Sequence, residues 1–459
     1  MQPAVLAPKT GQSVAPVEKH LPEAHAVHDI LDRHILADGF DMVLDMEHSR
    51  GAHLRDAKTG RDYVDFFTFF ASNPLGMNHP KLSGDSADTK AFQARLMDAA
   101  LNKPSNSDVY TRHMARFVDT FARVGIPDQL PNAFFVSGGA LAVENTLKVA
   151  FDWKVRMNHR KGYRREVGHQ VMHFEKAFHG RSGYTMSLTN TDPNKVKFFP
   201  KFPWPRLSTP VANGPAHLDD IEQREALALA QAKTYFREHR DDIACVIVEP
   251  IQGEGGDNHL RPVFLQALKD LAHENDALLI FDEVQTGVGL TGTFWAWQGL
   301  GVTPDLLAFG KKAQVCGVLA GGRVSEVDDN VFNISSRINS TWGGNLVDMV
   351  RFDRILEVIE QDNLVGNAWH VGSYLLQRLH AMSEEHDAVA NPRGRGLMCA
   401  FDLPTAELRN AVRQRAYDLG LIILGCGANT LRFRPALTVT EADIDAGLAI
   451  LEQAIKETV

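Results

Sequence analysis

An acidic residue and a basic residue, Asp282 and Lys311, each follow a short apolar stretch of the chain. Asp282 ends the apolar run in LLIFDEVQTG (278–287), and Lys311 follows the run in DLLAFGKKAQ (305–314). A lysine amine can form a Schiff base with an aldehyde, and a carboxylate can keep a pyridine nitrogen protonated. Together the two residues indicate a site for pyridoxal 5′-phosphate (PLP). The simpler alternatives are a surface lysine at a strand end and an aspartate that caps a helix.

Strand and helix patterns alternate around these two residues, from about residue 75 to about residue 335. The predicted strands are short and almost continuously apolar, as in NAFFVSG, QVMHF, IACVIVEP, LLIFDEV and LLAFG. Such strands belong to a sheet that is buried on both faces, so we expect an α/β fold with a mostly parallel sheet covered by helices. Ligands bind at the carboxyl ends of such strands, where Asp282 and Lys311 fall.

A turn of small residues in SGGALAVENTLK (137–148) precedes a helical pattern with Val143, Leu147 and Ala150 on one face. Backbone N–H groups at the start of a helix bind anions. The pattern therefore offers a site for the cofactor phosphate, although a Gly-Gly pair alone is weak support.

Several motifs together resemble the class III, fold-type I aminotransferases over nearly the whole chain, from about residue 30 to the end. They are SGGALAVENTLK (137–148), FHGRSGYT (178–185), IACVIVEPIQGEGG (243–256), NSTWGGN (339–345) and LRFRPALT (431–438). Within the family, GKKAQVCGV (310–318) and SRINSTWGGN (336–345) are most similar to the enzymes that act on the ε-amino group of lysine.

The resemblance implies a role in cofactor binding for a set of residues. Lys311, directly after Gly310, carries the cofactor, and Lys312 points elsewhere. Ala140 stands where the family usually has a hydroxyl residue, so the phosphate depends more on backbone donors and on a threonine of the partner subunit. The implied contacts are Gly139, Ala140 and Thr341 with the phosphate, Phe178 and Val284 with the ring faces, Gln285 with the 3′-oxygen, Asp282 with the ring nitrogen, and Glu249 behind them.

The same resemblance assigns the substrate contacts. Arg181 and Arg432 are expected to bind substrate carboxylates, and Glu254 is expected to pair with Arg432 and move aside when 2-oxoglutarate binds. Gln285 and Asn339 are also expected near the substrate. Arg434 would share a strand face with Arg432, and only the motif distinguishes the two.

The expected reaction is ping-pong transfer of the ε-amino group of L-lysine to 2-oxoglutarate, by a homodimer with shared active sites. The products would be 2-aminoadipate 6-semialdehyde and L-glutamate. The alternatives are another ω-aminotransferase, acting on ornithine, 4-aminobutyrate or a diamine, and an aminomutase of the same fold. A non-catalytic PLP-binding protein is a third alternative.

Composition and patterning complete the expectations. The net charge of −9 argues against nucleic-acid or anionic-membrane partners. The four cysteines have no CxxC spacing and the 19 histidines form no HExxH motif, so no metal site is expected. With neither a signal peptide nor a membrane span apparent, we expect a cytoplasmic protein. The expected divisions are an N-terminal segment (1–74) whose first 30 residues form an arm, a large PLP-binding domain (75–345) and a smaller α+β C-terminal domain (346–459).

Overall fold

The computed structural model of the protein describes residues 21–211 and 218–459. Most of the N-terminal arm expected over residues 1–30 lies outside the described residues. The described chain begins with a 3-10 turn, Ala24–Ala26, which leads into a short helix.

The strands of the described residues form one large sheet and three smaller ones. In chain order they are β1 (His53–Arg55), β2 (Asp62–Asp65), β3 (Asn132–Val136), β4 (Gln170–Phe174), β5 (Arg206–Leu207), β6 (Ile243–Val248), β7 (Ile251–Gln252), β8 (Asn258–His259), β9 (Leu278–Asp282), β10 (Leu306–Phe309), β11 (Cys316–Ala320), β12 (Ala390–Arg395), β13 (Met398–Asp402), β14 (Leu421–Ile422), β15 (Leu424–Cys426) and β16 (Thr430–Phe433).

The helices alternate with these strands through the middle of the chain. In chain order they are α1 (Val27–Leu31), α2 (Thr68–Ala71, a left-handed turn), α3 (Pro80–Ser83), α4 (Ala87–Leu101), α5 (Arg112–Val124), α6 (Gly139–Arg160), α7 (Thr185–Leu188), α8 (Leu218–Glu238), α9 (Pro262–Glu274), α10 (Ala296–Leu300), α11 (Leu346–Gln361), α12 (Leu364–Glu385), α13 (Ala406–Leu419) and α14 (Glu441–Thr458).

The large sheet has seven strands in the order β3-β11-β10-β9-β6-β4-β5. Five of them, from β10 to β5, run parallel, whereas β11 is antiparallel to both of its neighbours. Alternate residues of β9 enter two different hydrophobic clusters: Leu279 and Phe281 enter one, and Leu278 and Ile280 the other. Burial of each such side chain stabilises the fold by about 1.5–3 kcal/mol. The sheet is therefore apolar on both faces, which explains the continuous hydrophobic runs in the sequence.

The C-terminal part of the chain builds a separate antiparallel sheet in the order β12-β13-β16-β15. Its last helix, α14, begins after Thr440, whose side chain and that of Asp443 form a capping box. The long helix α11 begins at Leu346, where the C-terminal domain is expected to start. Strand β14 pairs with β2 in a third sheet and so joins the N-terminal segment to the C-terminal part.

Candidate active site

A cavity of about 270 Å³ lies at the carboxyl ends of β9 and β10, beside the first residues of α6. Most residues that the sequence predicted for the site line this cavity. They are Gly139, Ala140, Phe178, Glu249, Glu254, Asp282, Val284, Gln285 and Lys311. The wall also includes His179, Gly180 and Ile251, which were not predicted.

A larger surface cleft, of about 680 Å³, lies elsewhere, along α6. Asp152 in its wall is already paired with Arg156 and Arg337, and Arg156 is also paired with Asp329. These charges satisfy one another, so the cleft has less to offer a ligand than the smaller cavity between Asp282 and Lys311.

Lys311 follows β10 on a backbone turn with a positive φ of 51°. Within the described part of the chain its Nζ has no hydrogen-bond or ion-pair partner, and the side chain faces the cavity. Burial, followed by the charges of Arg432 and Arg434, lowers the pKa of Lys311 to about 8. A larger fraction of the amine is therefore neutral, and nucleophilic, than in an exposed lysine.

The neighbouring Lys312 points away from the cavity, as the sequence predicted. Its Nζ donates to the carbonyl oxygens of Gln285 at 2.7 Å and Ala71 at 3.3 Å. Of the two adjacent lysines, only Lys311 presents its amine to the cavity.

Asp282 ends β9 with its carboxylate at the cavity wall. Its Oδ1 accepts from the backbone N–H of Val284 at 3.1 Å, and its Oδ2 lies 2.7 Å from His179 Nδ1. Burial lowers the pKa of His179, but the hydrogen bond and charge of Asp282, with the charge of Glu249, raise it above its usual value overall. A carboxylate has about four acceptor positions, so Asp282 can still accept a hydrogen bond from a protonated ring nitrogen.

Glu249 lies behind the cavity and connects two parts of its wall. Its Oε1 accepts from Phe178 N at 2.9 Å, and its Oε2 accepts from Gly253 N at 3.2 Å. Burial raises the pKa of Glu249 to about 7, with the charge of Asp282 adding to the effect and that of His179 opposing it. Glu249 thereby fixes the backbone of Phe178 relative to the turn that carries Glu254.

Glu254, in the cavity wall, forms an ion pair with Arg432, with Oε2 and Nη2 2.8 Å apart. The other oxygen, Oε1, lies 2.6 Å from Lys195 Nζ. Burial raises the pKa of Glu254, but the larger combined effect of Arg432 and Lys195 brings it below its usual value. The carboxylate therefore stays ionised. The Arg432 side chain is only 3% exposed, and its Nε and Nη1 have no partner among the described residues. It is therefore a buried cation with donors to spare.

Arg434, which the sequence could not separate from Arg432 by position, has different partners. It forms a buried ion pair with Asp257, and it donates to Gln285 Oε1 from Nε at 3.0 Å and from Nη2 at 2.9 Å. These bonds occupy the amide oxygen of Gln285. The amide nitrogen remains to donate into the cavity.

The first turn of α6 meets the opposite wall of the cavity at very close range. Gly138 has a φ of 112°, and Gly180 one of 116°. A Cβ on Gly180 would lie 2.5 Å from the Cβ of Ala140, and one on Gly139 would lie 3.1 Å from Val284 Cγ1. Glycine at 139 and 180 therefore allows the helix start, with N–H groups that can bind an anion, to approach Val284 and the residues after Phe178 closely.

Four predicted site residues do not line the cavity: Arg432, which is buried, and Arg181, Asn339 and Thr341, which are exposed in this chain. Ser105 Oγ donates to the carbonyl oxygen of Thr341 at 2.5 Å, which fixes that segment against the residues before α5. The role of Thr341 in the site of a partner subunit stays a prediction, as do the substrate roles of Arg181 and Asn339.

The sequence pattern of the family Aminotransferase class-III matches residues 36–455. The chain is a class III aminotransferase. This confirms the resemblance and the α/β fold of type I. The family uses PLP, which confirms the predicted cofactor.

This aminotransferase is similar to proteins named L-lysine-epsilon aminotransferase. It is 56% identical to that of Mycobacterium tuberculosis over 94% of this chain and 95% of the relative, and 54% identical to that of Amycolatopsis lactamdurans over 95% and 96%. A solved structure described as lysine aminotransferase from M. tuberculosis in the internal aldimine form superposes with a TM-score of 0.93 at 55% identity. The match covers 95% of this chain and 100% of that one.

The cavity of this aminotransferase fits PLP. Lys311 presents an amine that has no partner within residues 21–211 and 218–459, Asp282 has further acceptor positions, and the helix start at Gly139 offers N–H groups. Phe178 and Val284 add an aromatic and an aliphatic surface. These are the groups that an aldehyde, a pyridine nitrogen, a phosphate and a flat ring require.

Reasoning from the sequence missed the side chains that support the predicted ones: His179, Lys195 and the Asp257–Arg434 pair. His179 could have been found, because it directly follows Phe178 in a quoted motif. Lys195 and Asp257 have no signal in spacing.

Within residues 21–211 and 218–459, no helix is long and apolar enough to cross a membrane.

Proposed function

We propose that the enzyme transfers the ε-amino group of L-lysine to 2-oxoglutarate by a ping-pong mechanism, giving 2-aminoadipate 6-semialdehyde and L-glutamate. The Glu254–Arg432 pair is the observation that carries the proposal. An ω-amine donor has its carboxylate far from the reacting carbon, whereas 2-oxoglutarate has one beside it. Arg432 can bind the carboxylate of 2-oxoglutarate when Glu254 moves aside, and Glu254 can neutralise Arg432 when an ω-amine donor is bound. The identity of 56% to an enzyme named for lysine supports lysine as the donor.

When bound, PLP supplies an aldehyde that condenses with amines and a ring that withdraws electrons from the carbon bearing the amine. Lys311 Nζ holds the cofactor at rest. When it is free, Lys311 Nζ would take a proton from the substrate carbon that bears the amine and would return one. Asp282 keeps the ring nitrogen protonated, and the 2.7 Å bond from His179 keeps that carboxylate in place.

The other predicted residues position the cofactor. Phe178 and Val284 would pack on the two ring faces, the Gln285 amide nitrogen would donate to the 3′-oxygen, and Glu249 fixes Phe178 from behind. The backbone N–H groups at Gly139 and Ala140 bind the phosphate. Because Ala140 lacks a hydroxyl group, Thr341 of the partner subunit supplies one, so the proposal includes a homodimer with shared sites.

The substrates are bound by their carboxylates. Arg181 binds the α-carboxylate of lysine in the first half-reaction, while Glu254 stays paired with Arg432. Arg432 binds the α-carboxylate of 2-oxoglutarate in the second, and Asn339 and Gln285 contact either substrate. Arginine suits both tasks because its planar fork donates two parallel hydrogen bonds to a carboxylate.

The location and the division of the chain are part of the same proposal. We propose a cytoplasmic enzyme, since all four cysteines are free and buried, which fits a reducing compartment. We keep the boundaries 1–74, 75–345 and 346–459. The start of α11 at Leu346 supports the second boundary.

A panel of amines tests the proposal. Purified enzyme is incubated with 2-oxoglutarate and L-lysine, L-ornithine, 4-aminobutyrate or a diamine, and glutamate is measured. Lysine should give the highest kcat/KM. A higher value for another amine would move the assignment to that ω-amine, and turnover without 2-oxoglutarate would indicate an aminomutase.

Borohydride reduction of the purified enzyme is expected to attach PLP to Lys311 alone, because its amine faces the cavity and has a pKa of about 8. Peptide mapping by mass spectrometry locates the label. Lys312 is the internal control, since its amine is bonded to Gln285 and Ala71 on the far side. Label on Lys312, or none on either lysine, would contradict the assignment.

Mixed dimers test whether Thr341 acts across the subunit interface. One chain carries Thr341→Ala and the other Lys311→Ala, with different affinity tags. If Thr341 serves the partner's site, one site of each dimer holds both lesions and the other none. About half of the wild-type activity, with wild-type PLP retention at that site, is then expected. If Thr341 serves its own chain, every site holds one lesion, and weak PLP retention at the site that keeps Lys311 would refute the shared site.

A further inference from the structure

The backbone that carries Glu254 is packed too closely to move with its side chain. Gly427 N donates to the carbonyl oxygen of Glu254 at 2.9 Å. A Cβ on Gly253 would lie 2.1 Å from Gln285 Oε1, and one on Gly255 would lie 2.0 Å from a backbone oxygen. The glycines around Glu254 thus allow close packing rather than free movement. Its carboxylate can change partner only by rotation of its own side chain.

The carboxylate of Glu254 already has two cationic partners on different elements. Oε2 bonds Arg432 on β16 at 2.8 Å, and Oε1 bonds Lys195, at the end of the turn Pro193–Lys195, at 2.6 Å. The two cations differ in burial: the Arg432 side chain is 3% exposed and that of Lys195 27%. A small rotation can therefore release Arg432 without loss of every charged partner.

We propose that Lys195 is a positioning residue that holds Glu254 when Arg432 is open to 2-oxoglutarate. This inference deepens the proposed function and rests on it. When a substrate carboxylate takes Arg432, Glu254 loses that partner and would otherwise leave a half-buried charge to water alone. Hydrogen bonds to charged groups are stronger than neutral ones. The ammonium group of Lys195, by staying bonded to Glu254, therefore lowers the free energy of the open state, in which Arg432 is free to bind a substrate carboxylate.

Two further features favour the open state in the presence of Lys195. Because Lys195 shares the carboxylate with Arg432, it weakens the hold of Glu254 on Arg432. Lys195 Nζ also lies 5.5 Å from the ring centroid of Phe178, so a carboxylate held on Lys195 stays beside the cavity. Glu254 can then return to Arg432 as soon as glutamate leaves. Lys195 thus favours the 2-oxoglutarate half-reaction over the lysine half-reaction.

Lys195→Met in the holoenzyme is the first test, since methionine keeps an unbranched side chain without the charge. Single turnovers, followed by cofactor absorbance, measure each half-reaction separately. We expect kcat/KM of the 2-oxoglutarate half-reaction to fall about tenfold and that of the lysine half-reaction to change less than about twofold. Lys195→Arg should restore most of the loss. Lys197→Met is the matched control, because Lys197 is a nearby cation that bonds Asn194 instead.

Glutarate, a dicarboxylate that cannot react, gives a readout independent of turnover. In calorimetric titrations of the holoenzyme, Lys195→Met should weaken glutarate binding about tenfold. The same substitution in a Glu254→Gln background should then have no effect, because the residue acts through Glu254. Equal weakening in both backgrounds would show that Lys195 only attracts anions, and no weakening in either would also overturn the inference.

The glutarate titrations separate a failure of this inference from a failure of the proposed function. If wild-type enzyme does not accept the amine of lysine, the donor assignment falls while the Lys195 effect on glutarate still stands or fails by itself. If lysine is accepted and the glutarate effect is absent, only the role of Lys195 falls.

Discussion

Asp282→Ala is expected to leave a folded protein that turns over at no more than about a thousandth of the wild-type rate. The reason is electronic, because the cofactor ring withdraws electrons only while its nitrogen stays protonated. An ion pair at about 4 Å with an effective dielectric constant of about 20 is worth on the order of 4 kcal/mol. Each 1.36 kcal/mol of barrier changes the rate about tenfold, so such a loss corresponds to about three orders of magnitude.

Asp282→Asn is the matched variant for this prediction. The amide oxygen can still accept from His179 or from Val284 N, which bond different oxygens of Asp282, while the amide nitrogen fills the place of the other oxygen. The variant therefore removes the charge and keeps the shape. Steady-state turnover with lysine and 2-oxoglutarate is compared with melting temperature and circular dichroism. Near-normal activity in Asp282→Ala would rule out the assignment, and loss of fold in both variants would reduce Asp282 to a structural residue.

The position of Asp282 could be predicted because several weak signals in the sequence share a physical cause. A strand that is buried on both faces must be apolar throughout, so the first polar residue after the run marks the strand end. Parallel strands place such ends along one edge of the sheet, where Asp282 and Lys311 meet. The fold and the centre of the site follow from these periodic patterns together with the motifs.

The supporting contacts could not be predicted in this way. Lys195 and Glu254 are distant in sequence and meet only because a short turn after α7 lies against the turn after β7. Strand β11 is antiparallel in an otherwise mostly parallel region, and its run CGVLA was not singled out as a strand. Such contacts depend on how loops pack together, for which a single sequence carries no periodic signal.

Arg432 and Arg434 show that position along a strand does not predict the partners of two neighbouring charged residues. Arg432 and Arg434 stand two residues apart, and a strand places such residues on one face. In the structure Arg434 is bonded to Asp257 and Gln285, whereas Nε and Nη1 of Arg432 have no partner in the described part of the chain. The difference arises from Asp257, which satisfies one cation and leaves the other for an incoming carboxylate.

Glu254→Ala is expected to lower the rate of the lysine half-reaction about a hundredfold, and that of the glutamate half-reaction less than about tenfold. Without Glu254, the Arg432 guanidinium has no hydrogen-bond partner left among the described residues, and the buried cation faces the reacting end of the site. Removal of one member of a buried ion pair typically costs about 3–5 kcal/mol because the other charge is left alone. The open Arg432 should therefore attract the α-carboxylate of lysine and hold the wrong end of the molecule at the reacting centre.

The same exposure of Arg432 should give the Glu254→Ala variant a new reaction with α-amines, since their carboxylate lies next to the amine. Single turnovers with lysine, glutamate and alanine, followed by cofactor absorbance, measure the three reactions separately. Glu254→Gln is the matched control, because the amide keeps the size of the side chain and can still accept from Arg432 Nη2 without cancelling its charge. We expect it to lie between wild type and Glu254→Ala in each reaction. Equal losses in both half-reactions, with no gain of α-amine reactivity, would show that Glu254 does not cover Arg432 during catalysis. The removal of Glu254 would then alter the site without changing which substrate carboxylate the site selects.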